Sequence, residues 1–321
     1  MSVEHAAASR RWVALPTTSS PRWYLPSTGG SVARKSLSVY RPVSLKALVG
    51  WRIARTGAQA GIFRMLPRTP IPEELQSALG SLRGLGEIAA LARTNHSQRW
   101  IALILAPKGR YSIAKIALDE GGAARLDTEH ENLMQFGGLL PEPLRAPRVV
   151  HYRYGALVME AVTSRPRLSP SVLPERVASA LGGFFSATRR TRSLPPTGLA
   201  HGDCAPWNLL RHENSWVLID WESAATAQLP FLDLIHYHVS SYVELGRPSL
   251  SSLRAGFVGR GPISKVIQAY AANAGHPPSA AEGYFHLYVE SGRLLALPEG
   301  GHECRPTARR RAERLVERVS P

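Results

Sequence analysis

Leu199 to Ser223 reads LAHGDCAPWNLLRHENSWVLIDWES. His201-Gly202-Asp203 is followed five residues later by Asn208, and Asp220 ends an apolar run, Trp216 to Ile219 (WVLI). Asn214-Ser215 supplies a turn between Leu209-Leu210 and that run, so the stretch predicts a hairpin. Its return places Asp203, Asn208 and Asp220 at one end of a small sheet. Carboxylate and amide oxygens suit Mg²⁺ better than zinc. Phosphoryl transfer calls for this set: a metal clamp on phosphates, and an acid that orients the attacking hydroxyl and accepts its proton.

Upstream, Glu87–Leu91, Trp100–Leu105, Tyr111–Leu118, Arg148–His151 and Ala156–Glu160 read as strands, with Pro107-Lys108-Gly109-Arg110 as a hairpin turn. Lys115 lies at the centre of IAKIA, where an ammonium is costly unless anions meet it. Asp127 to Phe136 reads as a helix capped by Asp127 or Thr128. Glu129 shares a face with Leu133 and Phe136, whereas Glu131 points away from it, so Glu129 is the expected partner of Lys115. From Leu173 onward the pattern is mostly helical, with Pro174 at a helix start.

HGDCAPWN and LIDWE resemble the catalytic and metal-binding motifs of the aminoglycoside phosphotransferase and choline kinase family, relatives of the protein kinases. The likeness extends through Lys115, Glu129, LVMEAV (Leu157 to Val162) and PFLDL (Pro230 to Leu234), and covers about residues 85 to 321. It implies an α+β, two-lobed protein-kinase-like fold: a small antiparallel sheet with one helix, then a mainly helical lobe. The division it implies is a basic extension over 1–84, an N-lobe over 85–160, and a C-lobe over 161–321 with the catalytic loop and acceptor site. It further implies Asp203 as catalytic base, Asn208 and Asp220 as Mg²⁺ ligands, and Lys115, paired with Glu129, on the nucleotide phosphates. The backbone from Glu160 to Val162 would hold adenine, and Asp233 would brace the loop. His201 is expected to be structural, its ring bonding nearby backbone, and Cys204 to be a loop filler. The reaction implied is transfer of the γ-phosphate of ATP to a hydroxyl of a small molecule, with GTP left open as donor. A protein kinase is disfavoured, since HGD stands where HRD would and only seven residues, Ser223 to Leu229, separate IDWE from PFLDL. One departure is the lack of a glycine-rich phosphate loop: Ala92 to Arg99 reads ARTNHSQR, and backbone amides from Thr94 to Ser97 would have to cover phosphates instead.

The chain has 321 residues and a formal charge of +15, with 39 basic and 24 acidic side chains. The excess is uneven: residues 1–99 hold 14 basic and 4 acidic residues, whereas Leu199 to Pro321 holds 12 of each. A nucleic-acid coat is therefore not expected, and neither is a strongly polycationic acceptor. Two cysteines, Cys204 and Cys304, exclude a disulfide scaffold, and no run reaches the ~20 apolar residues of a membrane span. A cytoplasmic setting is expected. Residues 1–68 carry 11 basic residues and one acid, Glu4, which is the composition of a peripheral contact with an anionic membrane or an acidic partner. Within them, Leu45, Val49 and Ile53 follow i, i+4 spacing among arginines. That segment fits either a membrane surface or packing on the main domain. The alternative to an enzyme is a non-catalytic nucleotide-binding or membrane-surface interaction protein; it would have lost the base or the metal ligands, and all three are present.

Overall fold

The computed structural model describes residues 12–15, 21–28, 31–39, 42, 45–82, 84–94, 99–106, 110–162, 169–189, 196–291 and 306–319. It divides into two compact units: Met1–His130 with Pro147–Leu168, and Glu131–Ala146 with Ser169–Pro321.

The first unit is built on an eight-stranded antiparallel sheet. Its strands are β1 (Trp12–Leu15), β2 (Trp23–Pro26), β3 (Arg68–Thr69), β4 (Glu87–Arg93), β5 (Arg99–Leu105), β6 (Tyr111–Ala117), β8 (Val149–Arg153) and β9 (Ala156–Glu160). The strand β7 (Leu144–Arg145) belongs to the other unit. The order is β3-β1-β2-β4-β5-β6-β9-β8. The helices are α1 (Ser31–Ser36), α2 (Leu45–Gln59), α3 (Glu73–Leu79) and the first part of α4 (Glu120–Phe136).

Within residues 1–84, read from the sequence as a basic extension, β1 and β2 join the sheet, with Trp23 opposite Ala92 and Tyr24 opposite Leu91. Period-two alternation explains why. Trp12 and Tyr24 bury on one face with Leu91, Trp100 and Ile116 against Leu75 and Leu79 of α3. Val13 and Leu25 bury on the other with Leu103, against Ala33, Leu37, Ala58 and Phe63. Fully burying one such large side chain contributes about 1.5–3 kcal/mol, so these short strands are held by their side chains. The expected antiparallel sheet is present, larger by three strands and with more than one helix.

Helix α4 also begins earlier than its pattern suggests. Asp119, not Asp127 or Thr128, caps it: its Oδ1 accepts the Gly122 N–H at 2.7 Å. Gly121 and Gly122 in the first turn depress the helical pattern there.

The second unit holds α5 (Glu175–Ser186), α6 (Leu232–Leu245), α7 (Leu250–Phe257), α8 (Pro262–Ala274), α9 (Ala281–Glu290) and α10 (Pro306–Val319). Two small sheets accompany them: β10 (Gly198–Ala200) with β13 (Ala225–Gln228), and β11 (Leu209–His212) with β12 (Ser215–Leu218) and β7. Every residue of α6 from Leu232 to Val243 is buried, which makes it the axis of the unit. At Gly182 a Cβ would run into the Tyr270 carbonyl, so α5 and α8 meet backbone to backbone only because that position is glycine.

Candidate functional site

In the first unit the central feature is an ion pair. Lys115 leaves β6, in register with Leu157 of β9, and its Nζ lies 2.7 Å from both carboxylate oxygens of Glu129 on α4. Glu129 is fully buried, while Glu131 is exposed. A symmetric, charge-assisted contact is the arrangement that lets a lysine sit inside an apolar sheet. The chain leaving β9 is also fixed: Glu160 N–H donates to the Arg148 carbonyl (2.9 Å), Ala161 N–H donates to the Tyr111 carbonyl (3.1 Å), and Val162 is buried. The Thr94 N–H, expected to face phosphates, instead donates to the Arg99 carbonyl at 3.0 Å. Asn95 to Gln98 lie outside the described residues, as do Pro107 to Gly109, Cys304 and residues 1–11.

In the second unit the loop after β10 is clamped by the first turn of α6. Asp233 Oδ2 accepts the His201 N–H and Oδ1 the Gly202 N–H, both at 2.8 Å. Burial pushes the Asp233 carboxyl up, against the pull of His201 and of those two backbone donors. Gly202 has φ +81°, and a Cβ there would run into the Ser223 carbonyl. His201 is positioned differently from expectation. Its main-chain N–H is bound, but both ring nitrogens are buried with no hydrogen-bond partner among the described residues. The ring stands edge-on to Trp221, 5.1 Å between centroids, and burial lowers its pKa. Cys204 is fully buried and its thiol is pushed well up, so it stays protonated and inert.

Asp203 is held through both carboxylate oxygens. Asn208 Nδ2 donates to Asp203 Oδ2 (2.8 Å) and to the Asp203 carbonyl (2.9 Å), and His236 Nε2 lies 2.9 Å from Asp203 Oδ1. Since the Asn208 amide nitrogen is committed, the oxygen is the part of that amide suited to a cation. The Ile219 N–H donates to the Asn208 carbonyl at 2.9 Å, tying Asn208 to the end of the strand that delivers Asp220. Asp220 itself adopts φ +72°, a left-handed conformation costly for a non-glycine residue and concentrated at functional sites. The turn behind it is pinned by Trp221, whose Nε1 donates to the Leu218 carbonyl (2.7 Å) and whose carbonyl accepts from Asn132 Nδ2 (2.8 Å). Among the described residues no cluster of three or more His, Cys, Asp or Glu side chains could hold a metal. The donor set of one carboxylate and one amide oxygen instead fits a hard cation that keeps water and phosphate ligands.

His236 was not singled out by the sequence. It sits three residues after Asp233, on the same face of α6, so the helix that braces the loop also reaches Asp203. Its Nδ1 lies 2.8 Å from Tyr288 Oη on α9. An ionised Asp203 only accepts, so Nε2 carries the proton, and in the neutral ring Nδ1 then accepts from the Tyr288 hydroxyl. Tyr288 also borders a cavity of about 230 Å³, walled by Leu229, Pro230, Ile235, Tyr284 and Leu287 and with no acidic residue in its lining.

A family model described as the RIO domain matches residues 122–231, less than half of the chain. The match includes Glu129, Asp203, Asn208 and Asp220, but neither Lys115 nor Asp233. The fold is α+β, with an antiparallel-sheet unit and a mainly helical unit. No curated protein matches the chain in sequence. Among solved structures, it is similar to the apoenzyme of the macrolide 2′-phosphotransferase MphH from Brachybacterium faecium, at 16% identity over 68% of this chain and 90% of that one, TM-score 0.47. A macrolide 2′-phosphotransferase type I matches at 14% identity over 74% and 95%, TM-score 0.48. The GDP and kanamycin complex of APH(2″)-IIia matches at 14% identity over 77% and 98%, TM-score 0.46. No helix among the described residues is long and apolar enough to cross a membrane.

Proposed function

We propose that this chain is a phosphotransferase of the aminoglycoside phosphotransferase type, moving the γ-phosphoryl group of ATP to a hydroxyl of a small molecule. The observation that carries this reading is Asp203, whose carboxylate is oriented from both oxygens beside Asn208 and the strained Asp220 turn. Asp203 accepts the proton of the acceptor hydroxyl as the new P–O bond forms and the bond to the ADP leaving oxygen breaks. Asn208 and Asp220 are the residues that hold Mg²⁺, which when bound neutralises charge on the phosphate oxygens. Lys115, kept in place by Glu129, contacts phosphate oxygens, and the main chain from Glu160 to Val162 receives adenine. His201 and Asp233 keep the loop in shape.

The cavity beside Tyr288 refines the acceptor. The lining holds no carboxylate and sets Leu229, Ile235 and two tyrosines beside Gln228 and Ser291, which favours a neutral, amphiphilic acceptor rather than a polycation. The RIO-domain match supports a second acceptor class, a protein hydroxyl, which belongs in the same assay. Pure protein is incubated with Mg²⁺, ATP or GTP, and a panel of macrolide-like, sugar, choline, aminoglycoside and protein acceptors. Acceptor-dependent release of nucleoside diphosphate is expected, and Asp203→Ala should lower it by about 10³-fold with its melting temperature kept. Release unchanged in Asp203→Ala would remove Asp203 as the base.

A further inference from the structure

Helix α2 has two apolar faces, and only one is used. Leu48, Trp51 and Ala58 are buried against the first unit, and Trp51 Nε1 donates to the Leu37 carbonyl at 3.0 Å. The i, i+4 series noted in the sequence is the other face. Leu45, Val49 and Ile53 are 65%, 50% and 68% exposed, so these residues do not pack on the domain. The ridge continues past the helix end: Ile62 Cδ1 lies 3.1 Å from where a Gly57 side chain would begin, Ile62 is half exposed, and Met65 is 85% exposed. At Gly50 no atom stands within 4 Å of where a side chain would begin, which leaves the ridge clear. Five large apolar side chains thus project into solvent over one helix and its following turn. Single exposed apolar residues are ordinary, but a continuous ridge of them marks an interaction surface.

Within this segment the charges are of one sign. Arg52 and Arg64 are exposed, and Arg55 lies over the Trp51 ring at 5.0 Å. No acidic residue occurs from Leu45 to Pro72. The apolar groups stand out from a helix whose other face packs on α1 and the Leu37 turn. A partner protein would have to supply a matching acidic groove, whereas a bilayer interface deforms around a ridge and offers anionic headgroups to the arginines.

We propose that α2 and Ile62–Met65 form a docking surface for an anionic membrane, with Leu45, Val49, Ile53, Ile62 and Met65 entering the headgroup region and Arg52 and Arg64 meeting lipid phosphates. The proposal is independent of phosphotransfer and stands or falls without it. The full-length chain is co-sedimented with phosphatidylcholine vesicles containing about one-quarter phosphatidylserine, with phosphatidylcholine vesicles alone, and without lipid. Pelleting with the anionic vesicles that weakens as salt rises is expected, because exposed charges are screened within about 10 Å at 0.1 M salt. Val49→Glu/Ile53→Glu should reduce the bound fraction by about tenfold or more, and Arg52→Gln/Arg64→Gln should flatten the salt dependence, each with an unchanged melting temperature. Both pairs alter exposed side chains, so folding is not at risk. The proposal is overturned if the wild type does not pellet with anionic vesicles above its lipid-free control. It is equally overturned if the glutamate pair binds as well as the wild type. Sedimentation velocity gives a third arm: a dimer that Val49→Glu/Ile53→Glu dissolves, without vesicle binding by the wild type, would assign the ridge to a second copy of the chain instead.

Discussion

The two units hold their polar side chains by different means. In the first, Lys115 and Glu129 satisfy one another between a strand and a helix, in regular structure, and neither has a positive φ. In the second, Asp203 sits on an irregular loop kept in shape by Asp233, with Gly202 and Asp220 in left-handed conformations and the His201 ring buried without a hydrogen-bond partner among the described residues. A buried ion pair adds little stability over an apolar pair, but removing half of it is costly, because a buried charge then loses its main counter-charge. A strained loop costs stability all the time, and persists because neighbouring contacts hold it. The comparison teaches that the first site is stable as a closed pair, whereas the second depends on a network reaching across two helices.

The sharpest break of this comparison is Lys115→Met. It takes the Lys115 ammonium away from the fully buried Glu129 carboxylate, and should destabilise the first unit by about 3–5 kcal/mol in urea unfolding. Lys115→Met/Glu129→Leu should return to within about 1 kcal/mol of the wild type, since an apolar pair replaces an ionic one. Phosphotransfer should stay lost in both. If the double variant is as unstable as the single one, the ion pair serves the fold rather than phosphate binding.

In the second unit, protonation supplies the test. His238 is fully buried on α6; its Nε2 accepts the Leu173 N–H at 3.3 Å and its Nδ1 donates to the Leu234 carbonyl at 2.8 Å. Burial lowers its pKa to about 4, while an unfolded imidazole titrates near ~6.5. Between those values the unfolded chain binds a proton that the folded chain refuses. Stability is therefore complete above pH ~6.5 and falls as pH drops toward 4, by on the order of 3 kcal/mol in all. His201, also lowered by burial, acts in the same direction, and Asp233, raised by burial, in the opposite one. The difference between wild type and His238→Gln isolates His238. A melting temperature whose pH dependence is the same in both would refute the assignment.

Much of this was legible before the structure, for physical reasons that also mark what was not. Lys115 stood out because a charge in the middle of IAKIA demands a partner, and helical geometry chose Glu129 over Glu131. Asp203, Asn208 and Asp220 were legible through their spacing and the turn at Asn214-Ser215. Strands β1 and β2 were not: four residues flanked by prolines give too short an alternation, and their stability comes from Leu91 and Leu75, far along the chain. The ridge on α2 was seen as a pattern, but i, i+4 spacing cannot say which of two apolar faces packs on the rest of the unit. Trp51 decides it, being large and hydrogen-bonded to Leu37. His236 was hidden because LIHYHVSSY reads as helix packing, and most of it is; only the loop clamped by Asp233 brings the Asp203 carboxylate to one of its histidines.

His236 is the smallest of the expected effects and the one that bears most directly on the comparison. If Asp203 is positioned by a network, removing the Nε2 donor should slow turnover without touching nucleotide binding, since Lys115 and Glu129 lie in the other unit. His236→Leu should lower kcat by about tenfold, equivalent to about 1.4 kcal/mol, with KM for ATP unchanged. His236→Gln keeps an N–H in reach of Asp203 Oδ1 and should recover most of that loss. A purely structural role would move the melting temperature of both variants and would not be rescued by glutamine. Tyr288→Phe, which removes the hydroxyl bonded to Nδ1 at 2.8 Å, should reproduce a fraction of the His236→Leu loss. Combined with His236→Leu it should add little, because residues in one hydrogen-bond chain are not additive. Full additivity would show that Tyr288 acts on the acceptor cavity alone and that the chain from Tyr288 through His236 to Asp203 is not a working unit.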